Sequence, residues 1–451
     1  MTDEIWSYVL GSGAFPAESR VPESTFVELK RSFNYFYPMD VRSSGKDLIP
    51  NHLTFCVYVH AALFPEHHWP KAMRANGHLM LNGKKMAKST GNSLTLKDAV
   101  QKFGADATRL TLADAGDGME DANFEELTAN SAIQRIYTQL LWCEEALTKK
   151  DTFRTGPADS FWDRAFAEEL NDFSAKVKDA YEKTWYKEAL KYGFYELDNS
   201  RRAYLEATAD VGMHRELVLD CIRRTALLVG PIMPHFAEHI WSGMLQQPTS
   251  IQSTLLPETK PTDLATLAGL QYVRTVTKDV RDRQIALSKK AKGGKNKGPA
   301  PADPTKPLKA RLFVATTFPK WQTDIVDVIK ANLDGEGNFN DAGIRETMIA
   351  KGFVKNKKAM PYVVELKRRT AALGAEKALG LALPFPEWET LGTVQTYLEK
   401  SLKLEAVEIL TVDDALAQLE SGAAKDGEAG FVKTTVEDAE PGAPGVVFYN
   451  P

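Results

Sequence analysis

The spacing of apolar and polar residues changes along the chain, and it indicates three folded regions separated by one break. Over residues 1–118 short apolar runs alternate with polar loops, which predicts a mixed α/β region. Over 119–287 apolar residues recur every three or four positions, which predicts an all-helical bundle. Short apolar runs return over 310–451 and predict a small α/β domain. The break is the segment between the last two regions, 288–309.

Two local patterns in the first region predict specific elements. Residues 53–64 are almost continuously apolar, and they favour a buried helix because no Gly or Pro interrupts 52–63. Further on, a short apolar run ends at Asn82-Gly83, a dipeptide that is typical of a tight hairpin turn. We therefore expect a helix and then a hairpin before the helical bundle.

The break has a composition that cannot form a core. Residues 289–309 hold seven lysines (289, 290, 292, 295, 297, 306 and 309) against one aspartate, with several Gly and Pro and few apolar side chains. Such a segment buries too little apolar surface to offset the entropy lost on folding. The pattern predicts a linker or an exposed basic arm.

Composition excludes several broad classes of protein. The 451 residues are 43% hydrophobic with a formal net charge of −4, which excludes a wholly disordered chain. No run of about 18 apolar residues occurs, so no membrane span is expected. The first 20 residues lack the basic start and apolar core of a signal peptide. Cys56, Cys143 and Cys221 lie far apart, which fits a reducing compartment rather than a disulfide framework or a zinc site.

The strongest candidate for chemistry is the polar loop that follows the predicted hairpin. Lys85 and Lys88 are three residues apart between Gly83 and Gly91, and lysine ammonium groups suit phosphate. The nearby hydroxyls of Ser89 and Thr90 could join them or cap the next helix near residue 94. The loop is no P-loop, because the pattern GxxxxGK[ST] is absent. From the residues alone, we predict a loop that contacts phosphate.

Residues 85–89 read Lys-Met-Ala-Lys-Ser, which resembles the KMSKS signature of class I aminoacyl-tRNA synthetases. The flanking stretches 37–52 and 76–83 are similar to leucyl-tRNA synthetases of the eukaryotic cytosolic and archaeal type. Further along, 192–195 and 234–241 resemble the helical tRNA-binding domain of that family. The resemblance implies a Rossmann-type nucleotide-binding region, a cytoplasmic location and ATP, Mg²⁺, leucine and tRNA(Leu) as ligands.

The resemblance also implies which residues would act. Lys85, Lys88 and Ser89 would be the catalytic residues, with the two lysines stabilising the ATP phosphates while leucine attacks the α-phosphorus. In the binding of ATP, the backbone groups of Met86 and Ala87 would hold the adenine. Gly45 and Asp47 match the family's Gly-x-Asp, which contacts the adenosine ribose, and His52 falls at the histidine of that motif.

One signature of the family is missing. No His-x-Gly-His or His-x-Gly-Asn occurs in the chain, although the family's HIGH motif lies beside most of its amino-acid pocket. The resemblance therefore implies a C-terminal portion that begins at an internal methionine, lacks the editing domain, and binds leucine only with the N-terminal half. We expect uncovered apolar faces near residues 1–60 and no synthesis of leucyl-adenylate by the chain alone.

A basic patch in the last region has two interpretations, which the sequence leaves open. It could be a solvated face, or it could contact the phosphates of tRNA, as could the lysine-rich segment 289–309. The acidic tail 413–440 is not expected to face RNA. His235 and His239 lack a third ligand and are predicted to be structural, so no metal site is expected. The patch consists of Lys351, Lys355, Lys357, Lys358, Lys367, Arg368 and Arg369.

Two rival interpretations remain at this point. The chain could be a portion of an isoleucyl- or valyl-tRNA synthetase, against which the stretches 37–52 and 76–83 argue. It could also be a non-catalytic RNA-binding protein derived from a synthetase, or a protein that pairs with a separate N-terminal half. Retained KMSKS residues do not exclude the second rival.

Overall fold

The computed structural model describes residues 2–292, 302–335 and 337–451. The chain divides into two compact units, both assembled from several segments. Unit 1 consists of Met1–Thr152, Phe173–Asn199 and Val218–Thr259, and unit 2 of Phe153–Asp172, Ser200–Leu217 and Lys260–Pro451. Parts of the predicted helical bundle belong to each unit, so the domain boundaries drawn from the sequence stay predictions.

The first region is mixed α/β, with short strands between helices. Strand β1 pairs in parallel with β2, and a second small sheet has the order β4-β3-β5. In that sheet β3 is antiparallel to β4 and parallel to β5. The elements are α1 (Asp3–Leu10), α2 (Glu23–Phe36), β1 (Arg42–Gly45), α3 (Thr54–Leu63), β2 (Met73–Asn76), β3 (Leu79–Leu81), β4 (Lys84–Lys85), α4 (Leu96–Phe103), α5 (Ala105–Ala115) and β5 (Ala122–Phe124).

Both local predictions for this region are confirmed in their type of element. Residues 54–63 form α3, and a hairpin joins β3 to β4. Asn82 and Gly83 have φ angles of 50° and 74°, and two positive values in succession define the type I′ turn that hairpins favour.

The helix α3 was expected to be buried, and in this respect the prediction is wrong. Phe55, Tyr58 and Leu63 are 65%, 68% and 71% exposed. Among the described strands, β1 pairs with β2 alone, although parallel sheets are normally larger and covered on both faces. Uncovered apolar surface near residues 1–60 was expected, and α3 provides it.

Helices make up the named elements between residues 126 and 292, as the apolar spacing predicts. Lys191–Glu196 and His239–Met244 are π-helical turns that continue α8 and α11. A side chain at Gly193 would come within 3.3 Å of Val177 and Leu228, so glycine permits close packing in unit 1. The helices are α6 (Glu126–Thr148), α7 (Phe161–Glu182), α8 (Tyr186–Leu190), α9 (Leu197–Ala207), α10 (Arg215–Val229), α11 (Pro234–Glu238) and α12 (Leu264–Lys292).

A buried carboxylate in unit 2, that of Asp163 on α7, pairs with Arg154 and is linked to α9 through Tyr204. The guanidinium of Arg154 donates to both carboxylate oxygens of Asp163 at 2.6 and 2.8 Å. The Tyr204 hydroxyl also donates to Asp163, and it accepts from the backbone N–H of His214 at 2.9 Å. Burial alone would raise the pKa of Asp163, but the hydrogen bonds from Arg154 and Tyr204 outweigh burial and lower it.

The last region combines a small sheet with several helices, which is the mixture of elements that the sequence predicts. Its sheet has the order β7-β6-β8, with β6 parallel to β7 and antiparallel to β8. Between β6 and α17, four helices form a core of their own around Ile325, Ile329 and Val363. The elements are β6 (Lys309–Val314), α13 (Lys320–Ala331), α14 (Asp341–Ala350), α15 (Ala359–Leu373), α16 (Ala375–Ala378), α17 (Glu387–Leu402), β7 (Ala406–Thr411), α18 (Val412–Glu420), α19 (Lys433–Glu437) and β8 (Gly445–Tyr449).

Two sequence-based expectations remain. Of the predicted linker or basic arm at 289–309, residues 293–301 fall outside the described residues. At its two ends the prediction is wrong, because 289–292 belong to α12 and Ala302 and Leu308 are buried. None of the described helices combines the length and the apolar character that crossing a membrane would require.

Candidate functional site

The candidate phosphate-contacting loop stands on the β3–β4 hairpin. Lys85 pairs across the hairpin with Met80, and its side chain is exposed. Consecutive strand residues point to opposite faces, so Lys84 and Lys85 project in different directions. The side chain of Asn82 accepts from the backbone N–H of Glu126 at 3.1 Å, which ties the turn to the start of α6. The hairpin therefore presents Lys85 from an anchored support.

Asn92 closes the loop that follows Lys85. Its side-chain amide donates toward the carbonyls of Lys85, Lys84 and Leu81 at 3.2, 3.3 and 3.4 Å. Its own carbonyl accepts from the backbone N–H of Ala87 at 3.0 Å. One asparagine thus joins both ends of the loop, and nothing in the KMSKS-like pentapeptide itself indicates this role.

Inside the loop, Lys88–Thr90 form a single 3-10 turn. Ser89 is exposed, whereas the Thr90 hydroxyl donates to the Ala87 carbonyl at 3.0 Å. The suggestion that Ser89 or Thr90 caps the next helix is wrong. Thr95 caps α4, because its hydroxyl accepts from the backbone N–H of Asp98 at 3.2 Å.

The candidate ribose-contacting residues follow β1. Gly45 ends that strand opposite Asn76, and Asp47 lies in the 3-10 turn Lys46–Leu48 with an exposed carboxylate. A Cβ atom at residue 45 would lie 2.6 Å from Oδ1 of Asp47. Any residue other than glycine at this position would therefore displace the carboxylate of Asp47. The close approach gives a physical reason for the Gly-x-Asp pattern.

His52 is exposed and contacts the beginning of the same strand. A guanidinium nitrogen of Arg42 lies 2.8 Å from His52 Nε2. Arg42 has no role assigned from the sequence, and here it holds the histidine ring. Asp40, also unassigned, pairs with Lys71 at 2.8 Å.

A carboxylate that the sequence did not single out joins the two halves of the candidate site. Oδ1 of Asp121 accepts from Lys46 Nζ at 2.6 Å and from the backbone N–H of His78 at 2.9 Å. Lys46 lies between Gly45 and Asp47, and His78 directly precedes the hairpin strand β3. The hydrogen bond from Lys46, followed by that from His78, lowers the pKa of Asp121.

The chemistry of the exposed side chains decides which ligands they could contact. The exposed carboxylate of Asp47 can accept from hydroxyl groups, and the exposed Lys85 suits phosphate. Among the described residues, no three His, Cys, Asp or Glu side chains are placed to hold a metal ion. His235 lies 3.1 Å from Asp106, and Asp106 also accepts from the N–H of Phe236 at the start of α11.

The C-terminal part of the basic patch is paired with acids. Arg368 and Arg369 both donate to Glu365 at 2.8 Å, and Lys367 pairs with Asp341. The hydrogen bond from Arg368, together with that from Arg369, lowers the pKa of Glu365 to about 2. These three cations are therefore less available to an external phosphate than the sequence suggested.

The N-terminal part of the patch contains the available charge. Lys358 pairs with Glu440 at 2.9 Å. Lys351, Lys355 and Lys357 are exposed, and none of them forms an ion pair within residues 2–292, 302–335 and 337–451. The patch of seven cations thus contains three that are open to an outside anion.

Three family models match the chain in succession. Residues 27–141 match tRNA synthetases class I (M), and residues 163–297 match the anticodon-binding domain of tRNA ligase. Residues 314–384 match a model described as the leucine–tRNA ligase RagD-binding domain. The first match contains the hairpin loop, and the third contains the basic patch.

The curated relatives that match the chain are named as ligases for one amino acid, leucine. The cytoplasmic leucine–tRNA ligase of Saccharomyces cerevisiae is 40% identical over 460 residues, covering 100% of this chain and 41% of that protein. The chain belongs to the leucine–tRNA ligase family. The Neurospora crassa enzyme is 40% identical with 100% and 40% covered, and the Pongo abelii enzyme is 40% identical with 92% and 35% covered. The chain spans about two fifths of the length of the curated relatives it matches.

Membership of the leucine–tRNA ligase family confirms the resemblance found in the sequence and disfavours the isoleucyl and valyl rivals. The names of these relatives place them in the cytoplasm, as the sequence led us to expect. A solved leucyl-tRNA synthetase complex from Agrobacterium radiobacter K84 covers 50% of this chain and 29% of that chain at 20% identity and a TM-score of 0.43.

Proposed function

We propose that this chain provides one half of the ATP site of a leucine–tRNA ligase, together with surfaces that bind tRNA(Leu). The observation that carries the proposal is the anchored hairpin of Lys85, whose start is linked through Asp121 to the Gly45–Asp47 turn. Lysine on a fixed loop can stabilise charge on phosphate oxygens, and a carboxylate next to a glycine can accept from ribose hydroxyls. Neither contact requires covalent chemistry by the protein.

In this proposal the remaining residues position the nucleotide. Lys88 and Ser89 act with Lys85 at the phosphates, and His52 acts near the ribose. The adenine lies against the backbone of Met86 and Ala87. Because the N–H and C=O of Ala87 are already engaged within the loop, contact at Ala87 requires the loop to rearrange when ATP binds. Mg²⁺ neutralises part of the triphosphate charge and arrives with the nucleotide.

The chain alone is proposed to lack adenylation activity. No HIGH sequence is present, and loss of even one transition-state donor can reduce a rate by roughly 10²–10³. The exposed apolar side of α3 supports the same conclusion, because it is the surface that further parts of a nucleotide-binding sheet would cover. Leucine would then bind only when the N-terminal half is supplied.

Binding and exchange measurements test this proposal together. We expect the purified chain to bind ATP·Mg²⁺ and tRNA(Leu) in titrations, and to show no leucine-dependent exchange of pyrophosphate into ATP. Bovine serum albumin at the same concentration sets the background. Exchange well above background would contradict the proposed lack of autonomous activity, and failure to bind ATP would contradict the half-site itself.

Replacing Lys351, Lys355 and Lys357 with alanine should weaken tRNA binding by about tenfold. For every lysine that no longer neutralises a phosphate, the slope of log affinity against log salt should also fall by roughly 0.7–0.9. The matched control replaces Lys367, Arg368 and Arg369, which removes the same number of charges from residues that are paired with acids. Equal losses of affinity in the two triple variants would argue against a specific role for the three open lysines.

A protein partner is a second candidate for the same region. The matching family model is described as RagD-binding, and apolar side chains lie exposed near the lysines. Met360 and Val364 are four residues apart on α15, so both can contribute to one exposed face. Val364→Glu separates the candidates: it should weaken binding of purified RagD and leave tRNA affinity unchanged if the apolar face binds protein.

A further inference from the structure

Asp121 makes two contacts, one with each of the two parts of the candidate ATP site. Its Oδ1 atom receives the ammonium group of Lys46 at 2.6 Å and the backbone N–H of His78 at 2.9 Å. The Lys46 ammonium also lies 3.4 Å from the carbonyl of Met119, in the same segment. One short segment before β5 therefore holds both the turn after β1 and the start of the hairpin.

The backbone around Asp121 supports the same junction. Gly77 donates its N–H to the carbonyl of Gly118 at 3.3 Å, and a side chain at Gly77 would clash with the carbonyl of Glu120. Directly after Asp121, β5 pairs in parallel with β3, with Leu79 opposite Ala122. The carboxylate thus sits on a backbone that is itself fixed against the hairpin strand.

We propose that Asp121 is a positioning residue that sets the Gly45–Asp47 turn at a fixed place relative to the Lys85 hairpin. The inference rests on the proposed nucleotide half-site, and it adds a residue outside both signature stretches. ATP must reach the turn through its ribose and the hairpin loop through its phosphates. If the turn and the hairpin are held at a fixed distance from each other, the ribose and phosphate contacts form without further ordering of the protein. ATP then binds more tightly than adenosine or tripolyphosphate alone.

The geometry assigns Lys46 an indirect part in the same arrangement. It is the middle residue of Gly45-Lys46-Asp47, and an exposed lysine at this place could contact phosphate itself. Its ammonium group is instead held by Asp121 and by the Met119 carbonyl. Lys46 therefore acts through Asp121, and removing either partner should have the same consequence.

Three ligands and three variants test the proposal on the purified chain. Asp121→Asn keeps an acceptor for the His78 N–H and removes the charge that holds Lys46. We expect it to weaken ATP binding about tenfold, while affinities for adenosine and for tripolyphosphate change by less than about twofold, because only ATP spans both sides. Lys46→Met should give the same result, and the double variant should be no weaker than either single one. Glu120→Gln, which alters an adjacent exposed carboxylate, is the matched control.

Several results would overturn the proposal. Unchanged ATP affinity in Asp121→Asn would do so, and additive losses in the double variant would show that Lys46 contacts the nucleotide directly. Amide hydrogen exchange without nucleotide gives an independent reading: Asp121→Asn should speed exchange in residues 45–49 and leave α12 unchanged. Unchanged exchange at 45–49 rejects the positioning role. If the wild-type chain binds none of the three ligands, the proposed half-site is wrong. Amide hydrogen exchange still tests in that case whether Asp121 fixes the Gly45–Asp47 turn.

Discussion

Replacing Asp163 with alanine is expected to lower the free energy of unfolding by about 3–5 kcal/mol. The carboxylate is fully buried, and the side chain of Arg154 beside it is 24% exposed. Removing one member of a buried ion pair leaves the other charge without compensation. Tyr204 would lose its acceptor at the same time, so Arg154 and Tyr204 each lose a hydrogen-bond acceptor in one substitution.

Chemical denaturation with circular dichroism measures this effect. Asp159→Ala removes a carboxylate from an exposed residue near the start of α7, and it should cost less than about 0.5 kcal/mol. Asp163→Asn keeps an acceptor for Tyr204 and should fall between the two. A cost below about 1 kcal/mol for Asp163→Ala would show that the network contributes little to stability.

The stability that Asp163 provides should also depend on pH. The folded protein lowers the pKa of this carboxyl group below its ordinary value of 3.8. Because the pKa is lower in the folded state, Asp163 contributes its full stabilisation at pH values above its pKa in the unfolded chain. The contribution declines as the pH falls through the pKa of the folded state. The difference in unfolding free energy between wild type and Asp163→Ala should therefore be constant near neutral pH and shrink only in strong acid.

Local chemistry explains which elements could be predicted from the sequence. The hairpin was predictable because Asn82 and Gly83 adopt positive φ angles more easily than other residues do. The cap of α4 was missed although its signal is also local: Thr95 and Asp98 have the spacing of a capping box. Ser89 and Thr90 also carry hydroxyls, but they lie in the 3-10 turn of the loop, five residues or more before Thr95.

Contacts between distant residues explain what could not be predicted. Asp121 is 75 residues from Lys46, and apolar periodicity carries no information about such a pair. In the same way, the charge count of the basic patch did not reveal that Lys358 is paired with Glu440, 82 residues away. Sequence motifs predict the chemistry, and tertiary contacts show which of the predicted groups are already engaged within the protein.

Lys85→Ala is expected to reduce leucine-dependent pyrophosphate exchange by roughly 10²–10³ once the missing half of the site is supplied. The upstream part of the S. cerevisiae relative, joined to this chain as one polypeptide, would supply it. The reason is electrostatic: the lysine would stabilise charge on phosphate oxygens at the moment of bond exchange, in a site that excludes water. The effect should appear in kcat more than in KM for ATP, because the interaction strengthens in the transition state.

The matched control for Lys85 lies next to it on the same strand. Lys84 carries the same charge and is also exposed, but strand geometry turns it to the other face of the hairpin. Lys84→Ala should therefore change exchange by less than about threefold, although both variants alter the net charge equally. Similar losses from the two substitutions would mean that the hairpin contributes general positive potential, and the directed phosphate contact proposed for Lys85 would have to be abandoned.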